Sequence, residues 1–483
     1  MATPRKQPRL TAYVVALAAL LLALAVAATT GSETIPVAAT AGPGASVQRA
    51  ADDGATSSGI DLGGLQAGAA GTGGAAGVTG SRTNGTTAGR TKAIYDQGVT
   101  DTEIRIGGST FTSGPAAVYG EQIAVGFAAG VNYVNQHGGI NGRKIVLKIY
   151  DDAADPAKQL ANTKRLVEID KVFALSMIYG DIGGQYIAQQ GIPVFHLGQQ
   201  EAEFTNPFWF PVGAPQRLAS YWLANFGAKK LGVKKVAILY LDAGVANYSK
   251  AYADSVAKDW NAYGVATPVL SPFSAGQTSC SDAISNAKSA GVDFIDFEVD
   301  ASTVINCGVE AQLQGYTPPK GWGGYLIGVP VIHEALGDFS QGMYAFDTFG
   351  ALYDNPDYIK AVHEISPKTA TYSSVTISYF VSALLMRDAI AKLGDNITRA
   401  RLKEVLNTFT NWQPGLSTDA NQPSWTWRPT CHDALRGGYV IQIQKHDGEL
   451  KWTQITPQML TVPAPPGSTP PAQYAQCDIF VKG

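Results

Sequence analysis

The chain has 483 residues, of which 45% are hydrophobic and 16% are charged. This length and hydrophobic content predict two or three domains with large cores. The formal net charge of −3 argues against a nucleic-acid partner, because nucleic-acid-binding domains usually carry a concentrated basic face.

The N-terminus has the pattern of an export signal. Three basic residues precede an uncharged run, residues 10–32, that contains ALAALLLALAVAA. We expect residues 1–32 to be a cleaved signal peptide; the alternative is a retained membrane anchor, since about 20 apolar residues cross a bilayer. Residues 33–92 are rich in Gly, Ala and Thr and contain no aromatic side chain. They are expected to form a disordered linker, so the folded part would be secreted or held at the cell envelope.

The cysteines are Cys280, Cys307, Cys431 and Cys477. An even number in an exported chain favours disulfides, and the sequence leaves three connectivities open. We prefer Cys280–Cys307 and Cys431–Cys477, because each pair is nearest in sequence within one candidate lobe. A zinc site is the alternative, but the chain has no CxxC pair and we predict no metal.

Residues 104–152 predict a strand, a helix and a second strand. Apolar and polar residues alternate at 104–106 and at 145–149, which is the period of a half-buried strand. Between them, one helix face carries Tyr119, Ile123, Phe127, Val131 and Val134. The loop at 109–114 therefore lies at the carboxyl end of the first strand, where open α/β sheets bind their ligands.

Strands and helices continue to alternate along the chain. Further strands are predicted at 172–177, 193–197, 236–241, near 269, at 292–297 and at 325–327. Helices are predicted at 155–169, 184–190, 216–230, 247–263, 282–290, 301–314, 375–393 and 399–408. Residues 206–211 are interpreted as an irregular crossing, and 438–444 and 450–455 as a terminal β-hairpin. The pattern is that of two βαβα successions joined near residue 213.

Three short sequence motifs resemble those of a known family. TSGPAAVYG, NQHGGINGRKI and YDDAADP are similar to the signature of type I periplasmic binding proteins, and within them to the leucine/isoleucine/valine-binding branch of ABC transporter solute receptors. The resemblance covers 98–451 and is strongest at 104–170. It implies an α/β fold with two doubly wound, Rossmann-like lobes joined by a hinge, a Venus-flytrap.

The resemblance also implies a domain organisation. The first lobe would comprise 98–213 and 346–430, and the second 214–345 and 431–461. Residues 462–483 would form a Pro-rich tail held by the disulfide of Cys477. The ligand would lie in the cleft between the lobes.

A non-catalytic function follows from the same resemblance. Members of the family deliver amino acids or other small polar solutes to the membrane permease of an ABC transporter, without a cofactor. One alternative is a tethered domain of the same fold that senses a ligand and reports to a membrane partner. Another is a secreted hydrolase, but the sequence has no GxSxG elbow, no Walker loop and no zincin motif. His196 is expected to be a buried or cleft-edge histidine.

The first-lobe candidates for ligand binding are donors at strand ends. Thr112, Ser113 and Tyr119 occupy the first loop and the helix after it, where side-chain and backbone donors suit a carboxylate. Their alternative roles are a helix cap for Ser113 and core packing for Tyr119. Tyr179 stands where the family usually has a small hydroxyl residue, which argues against an ordinary aliphatic amino acid as ligand.

The remaining first-lobe candidates follow the strand at 193–197. Gly198, Gln199 and Gln200 align with small and hydroxyl-bearing contacts of the family. Glutamine side chains both donate and accept hydrogen bonds. They therefore suit a polar or amide-bearing ligand.

The second-lobe candidates are one aromatic residue and two acids. Tyr248 falls where the family often has an aromatic residue in the cleft, although it also continues an apolar helix stripe. Glu298 and Asp300 follow the strand VDFIDF and are candidates for an ammonium group. The family's usual acid after the next strand is absent, because residues 327–330 are Ile-Gly-Val-Pro.

Overall fold

The structure is a computed structural model. It describes residues 93–114, 117–179, 182–198, 201–242, 248–274, 277–325, 327–417, 422–429, 431–432, 434–435, 437–456, 460–461 and 466. The predicted signal or anchor, the predicted linker and, apart from residue 466, the predicted tail lie outside these residues.

The first lobe is built on a five-stranded parallel sheet. Its elements are β2 (Glu103–Thr110), α1 (Ala117–Gln136), β3 (Lys144–Asp151), α2 (Pro156–Glu168), β4 (Ala174–Ser176), α3 (Gly184–Gln190), β5 (Val194–His196), α4 (Glu201–Thr205) and β6 (Trp209–Pro211). They follow a short strand, β1 (Ile94–Tyr95). The strand order is β3-β2-β4-β5-β6.

The second lobe repeats this arrangement. Its elements are α5 (Gln216–Phe226), which continues as a π-helical turn (Gly227–Leu231), β7 (Lys235–Leu241), α6 (Lys250–Ala262), β8 (Ala266–Phe273), α7 (Ser281–Ser289), β9 (Phe294–Glu298), α8 (Ala301–Leu313), β10 (Trp322–Gly324), α9 (Val331–Leu336), a 3-10 turn (Gly337–Ser340) and β11 (Tyr344–Asp347). The order β8-β7-β9-β10-β11 has the same doubly wound pattern as the first sheet. The prediction of two doubly wound lobes is confirmed.

The rest of the chain serves both lobes. A 3-10 turn (Gly350–Asp354), α10 (Pro356–Ile365), α11 (Ser374–Ala391), β12 (Asn396–Ile397) and α12 (Arg399–Leu406) come first. They are followed by β13 (Gly437–His446), β14 (Glu449–Gln454) and β15 (Leu460–Thr461). β12 pairs with β1, whereas β13 runs antiparallel to β11 and extends the second sheet.

Two helices pack closely in the core of the first lobe. α11 lies against α1, and a Cβ at Gly126 would come within 2.2 Å of the Thr376 carbonyl oxygen. Among the described residues, α11 is the one helix long and apolar enough to cross a membrane, but 83% of it is buried inside the protein. Its hydrophobicity is therefore explained by core packing.

The chain crosses between the cores of the two lobes three times. The changes fall between Val212 and Ala214, between Phe346 and Phe349, and between Leu435 and Val440. The domain boundaries derived from the family resemblance remain a prediction, and the third of them, at 430/431, precedes the last buried residue of the first core.

One predicted disulfide is present in the second lobe. Cys280 immediately precedes α7, and its sulfur is bonded to that of Cys307 on α8, so the bridge joins neighbouring helices of one core. Cys431 is disulfide-bonded as well. Cys477 lies outside the described residues, so the second pairing remains a prediction.

Candidate functional site

The candidate site lies where the two sheets reverse their winding. In the first lobe this point is between β2 and β4, and in the second lobe it is between β7 and β9. Ligands of open α/β sheets bind at such switch points, beyond the carboxyl ends of the strands. In the sequence, each predicted binding residue either ends a strand at this edge or belongs to the loop or helix that follows one.

A hydrogen bond joins the two switch points. The backbone N–H of Ala301, the first residue of α8, donates to the hydroxyl oxygen of Tyr119 on α1 at 2.9 Å. The Tyr119 ring packs against the apolar cores of both lobes. Burial raises the pKa of Tyr119 far above its usual value, so the hydroxyl stays neutral. Tyr119 is therefore an interlobe contact.

Asp300 caps the same helix. Its carboxylate accepts hydrogen bonds from the backbone N–H groups of Ser302 at 2.9 Å and Thr303 at 3.1 Å. A helix leaves its first N–H groups without intrahelical partners, and here Asp300 and Tyr119 satisfy them from opposite lobes. The carboxylate thus has a structural role next to the proposed cleft.

Glu298 is the last residue of β9 and only 3% exposed. It accepts hydrogen bonds from the side chains of Gln216 at 2.9 Å and Ser220 at 3.0 Å, both on α5. Burial raises the pKa of Glu298 to about 7, although these hydrogen bonds and the positive charge of Arg217 act in the opposite direction. The group therefore titrates close to neutral pH.

A second acid lies below Glu298 on the same strand. Asp296 is fully buried and accepts a hydrogen bond from the indole N–H of Trp260 at 2.8 Å. Burial, and then the negative charge of Glu298, raise the pKa of Asp296 well above its usual value. Because alternate residues of a strand share one face, the VDFIDFE sequence places both acids beneath α5 and α6.

Carboxylates of both lobes act electrostatically on Tyr248. Burial and the negative charges of Glu298, Glu203 and Asp300 raise its pKa to about 12. Two of these acids were predicted as site residues. The third, Glu203, belongs to the first lobe and was not predicted.

Glu203 is on the short helix α4 and only 1% exposed. Its negative charge also contributes to the raised pKa values of Tyr325 in the second lobe and Tyr379 in the first. His196 lies beside it, with 4.0 Å between its Nδ1 and an oxygen of Glu203. Burial lowers the pKa of His196 to about 3, so this histidine is neutral, and its expected burial is confirmed.

The predicted hydroxyl donors of the first lobe bond within that lobe. Ser113 Oγ donates to Asp151 at 2.5 Å, and Tyr179 Oη donates to Asp152 at 3.1 Å. Burial and the negative charge of Asp152 raise the pKa of Tyr179. Thr112 is half-buried in the same loop.

Gly198 has a conformational role. Its φ is +78°, and a Cβ there would come within 2.3 Å of Pro211 Cβ. A side chain would therefore be strained for two independent reasons. Gln199 and Gln200 lie outside the described residues, so their contribution remains a prediction.

The structure thus brings together four of the predicted residues: Tyr119, Tyr248, Glu298 and Asp300. Ser113 and Tyr179 instead join the aspartates at the end of β3. The described residues contain no group of His, Cys, Asp and Glu side chains that could hold a metal ion.

A separate groove of about 790 Å³ is also lined from both lobes. Three histidines border it, His333, His363 and His446, together with Tyr372. None of the predicted binding residues lines this groove. It is therefore distinct from the strand-end cluster around Tyr248.

Comparison with known proteins identifies the family. The family model described as periplasmic binding protein matches residues 103–449. The chain belongs to this family. The fold and the opposed strand ends described above are those expected of a two-lobed binding protein.

Curated relatives of this periplasmic binding protein are named for amino-acid binding. It is 24% identical over 266 residues to the leucine-, isoleucine-, valine-, threonine-, and alanine-binding protein of Pseudomonas aeruginosa, covering 52% of this chain and 68% of the relative. It is 25% identical over 202 residues to the Leu/Ile/Val-binding protein homolog 3 of Brucella melitensis. That match covers 40% of this chain and about half of the relative, 54%.

Solved structures share the fold at low sequence identity. A branched chain amino acid ABC transporter structure from Thermus thermophilus with bound valine has a TM-score of 0.66 and 15% identity, covering 75% of this chain and 97% of the other. A solute binding protein from R. palustris in complex with 4-hydroxybenzoate has a TM-score of 0.64 and 17% identity, with coverages of 74% and 97%.

Proposed function

We propose that this periplasmic binding protein is an exported, non-catalytic receptor. It binds a small polar solute, amino-acid-like or amide-like, between its lobes and delivers it to the membrane permease of an ABC transporter. The proposal places the folded part outside the cytoplasm and gives residues 1–32 the role of signal peptide or anchor, the chain's only membrane contact.

The observation that carries the proposal is the meeting of the two switch points. The Tyr119–Ala301 hydrogen bond links the lobes, and acids of both lobes act electrostatically on Tyr248. A solute bound here would contact both lobes at once, so its binding energy would favour the closed arrangement. The names of the relatives support an amino-acid-like ligand, and the 4-hydroxybenzoate complex shows that the fold also binds a ligand that is not an amino acid.

The proposed ligand contacts are Tyr119, Tyr248 and Glu298, with Glu203 added from the first lobe. Thr112, Gln199 and Gln200 are proposed to complete the first-lobe wall. Asp300 and Gly198 are proposed to shape the site through the cap of α8 and the turn after β5.

Thermal-shift screening of the purified protein tests the proposal. The solutes are amino acids, amides, urea and short peptides. A ligand at 100 times its Kd should stabilise the protein by about 2.7 kcal/mol, and X-ray scattering should show compaction. Tyr248→Ala should abolish the shift, whereas Tyr263→Ala, which removes a second-lobe tyrosine bonded to Asn225, should leave it unchanged. Turnover of an ester or peptide without any solute-dependent shift would contradict the proposal.

A further inference from the structure

Charge is unevenly distributed along this chain. Lys and Arg number 36 and Asp and Glu number 39, so the whole protein is nearly balanced. The loops that follow β2–β5 and β7–β10 contain no Lys, Arg or His in the sequence. They contain five aspartates: Asp152, Asp155, Asp181, Asp242 and Asp300. The edge at which ligands bind is therefore acidic in both lobes.

The strand ends add further carboxylates to this edge. β3 ends on Asp151 and β9 on Glu298, and Glu203 follows β5 on α4. The positive charge of Arg217 acts on Glu298 and lowers its pKa, but the guanidinium is paired with Asp259 at 2.7 Å. The strand-end loops therefore add no positive charge beside the carboxylates that act electrostatically on Tyr248.

Hydroxyl groups that could bind a ligand carboxylate are used elsewhere. Four of them at the ends of β2 and β4 donate to acceptors of their own lobe: Ser109 to Asp152, Ser113 to Asp151, Ser176 to the Phe195 carbonyl and Tyr179 to Asp152. Of the neighbouring hydroxyls, Thr110 Oγ1 is buried and has no hydrogen-bond partner among the described residues. A ligand carboxylate would thus meet few donors in a strongly acidic setting.

The aromatic residues of the cluster suit the opposite charge. Tyr119, Tyr248, Tyr325 and Tyr379 all have pKa values raised by burial, so they stay neutral. Neutral aromatic faces attract cations through their quadrupole, and buried carboxylates are stabilised by a cation with good hydrogen-bond geometry. Acids and tyrosines together therefore favour a positively charged ligand.

From these observations we infer that the cleft selects an organic cation, an amine or guanidine without an adjacent carboxylate, over a zwitterionic amino acid. The inference rests on the proposed receptor function and names the ligand class of that same site. Glu203 and Glu298 hydrogen-bond the cation from opposite lobes, and the ring of Tyr248 covers it. Closure of the lobes then brings the two carboxylates towards one positive charge.

Calorimetry with matched ligand series tests this inference. Each series keeps one uncharged side chain and changes only the charged groups: 3-methylbutylamine, leucine and 4-methylpentanoate; phenethylamine, phenylalanine and 3-phenylpropanoate. In at least one series the amine should bind ten times more tightly than the amino acid or more, and the carboxylate that lacks an amino group should not bind. If every amine binds more weakly than its amino acid or its acid, or not at all, the inference is overturned.

Variants separate charge recognition from loss of the fold. Glu203→Gln and Glu298→Gln should each weaken amine binding at least tenfold, while Asp338→Asn, at an exposed acid that pairs with Lys445, should not change it. If a glutamine variant fails to fold, Tyr248→Phe and Tyr248→Leu provide a second test, because only the leucine removes the aromatic face. Equal amine affinity in these two variants would show that the aromatic ring at position 248 does not bind the cation.

The same titrations distinguish this inference from the receptor function. Binding of zwitterions or amides in preference to amines would leave the receptor function intact and overturn the inference that the ligand is a cation. Failure of every positive, neutral, zwitterionic and negative solute to bind would overturn both.

Discussion

Tyr119→Phe removes the hydrogen bond between the lobes. The substitution removes only the hydroxyl that accepts from Ala301 at 2.9 Å, and it keeps the ring that packs against both cores. When the lobes separate, both bonding groups can bond to water instead. The bond therefore contributes to closure and not to the fold of either lobe.

The expected loss of affinity follows from this exchange of one protein hydrogen bond for hydrogen bonds to water. A neutral hydrogen bond contributes about 0.5–1.5 kcal/mol net, and each 1.4 kcal/mol is about tenfold in affinity. Because closure and binding are coupled, Tyr119→Phe should weaken ligand binding by roughly two- to tenfold. Isothermal titration calorimetry measures this change, and X-ray scattering measures the fraction of closed protein.

A tyrosine within one lobe provides the control. Tyr316 donates to the carbonyl of Val292 at 2.7 Å, inside the second lobe. Tyr316→Phe should lower the Tm of the ligand-free protein and leave the affinity for ligand unchanged. Tyr119→Phe should weaken ligand binding and leave that Tm unchanged. If Tyr119→Phe binds ligand as the wild type does, or if both variants lose stability equally, the interlobe role of this bond is refuted.

Three further substitutions test single features of the fold. Replacing Cys280 and Cys307 by Ala should lower the free energy of unfolding by ~3–4 kcal/mol in the chain-entropy model, since the sequence separation is 27; an unchanged urea midpoint would contradict this. Gly198→Ala should destabilise by about 2 kcal/mol or more, because it combines a positive φ with a contact to Pro211, and thermal unfolding measures it. Glu298 has a pKa of about 7 in the folded protein against an ordinary value of 4.5, so the free energy of unfolding of the wild type should fall by up to ~3 kcal/mol as the pH rises between these values. Glu298→Gln should flatten that decline, and an identical pH profile of urea unfolding would show that another group causes it.

The sequence predicted those parts of the fold that local patterns determine. The strand–helix–strand unit at 104–152 was predicted from apolar periodicity, and it is observed as β2, α1 and β3. The helix predicted at 155–169 is observed as α2, and Asp155 caps it by accepting hydrogen bonds from the backbone N–H groups of Ala157 and Lys158. The nearest-pair rule for cysteines was correct for Cys280–Cys307. These features depend on residues close together in sequence.

Short strands were predicted less well. Residues 206–211 were interpreted as an irregular crossing, but Trp209–Pro211 form β6 at the edge of the first sheet. Proline is tolerated mainly at sheet edges, and β6 lies at such an edge, so Pro211 is compatible with a strand here. The strand predicted at 325–327 lies three residues earlier, at Trp322–Gly324. Its two glycines pack against neighbouring strands and give no alternating apolar signal.

The chemistry of the candidate site required tertiary structure. Ser113 and Tyr179 were suitable donors by residue type, but only the fold shows that they bond to Asp151 and Asp152. Glu203 was missed because an acidic residue in a short segment after β5 resembles an ordinary solvated loop. An observable signal was present in the sequence, namely the absence of basic residues from every loop at this edge.

The pKa of Glu298 makes the proposed cation binding dependent on pH near neutrality. Because that pKa is about 7 in the ligand-free protein, the carboxyl is protonated below pH 7 and must release its proton to pair with a cation. Affinity for an amine should therefore fall by up to ~10-fold per pH unit below about 7 and level off above it. Calorimetry at pH 6 in buffers of different ionisation enthalpy should detect proton release, and Glu298→Gln should abolish it. Proton uptake, or affinity that rises as the pH is lowered, would show that Glu298 does not bind the positive charge.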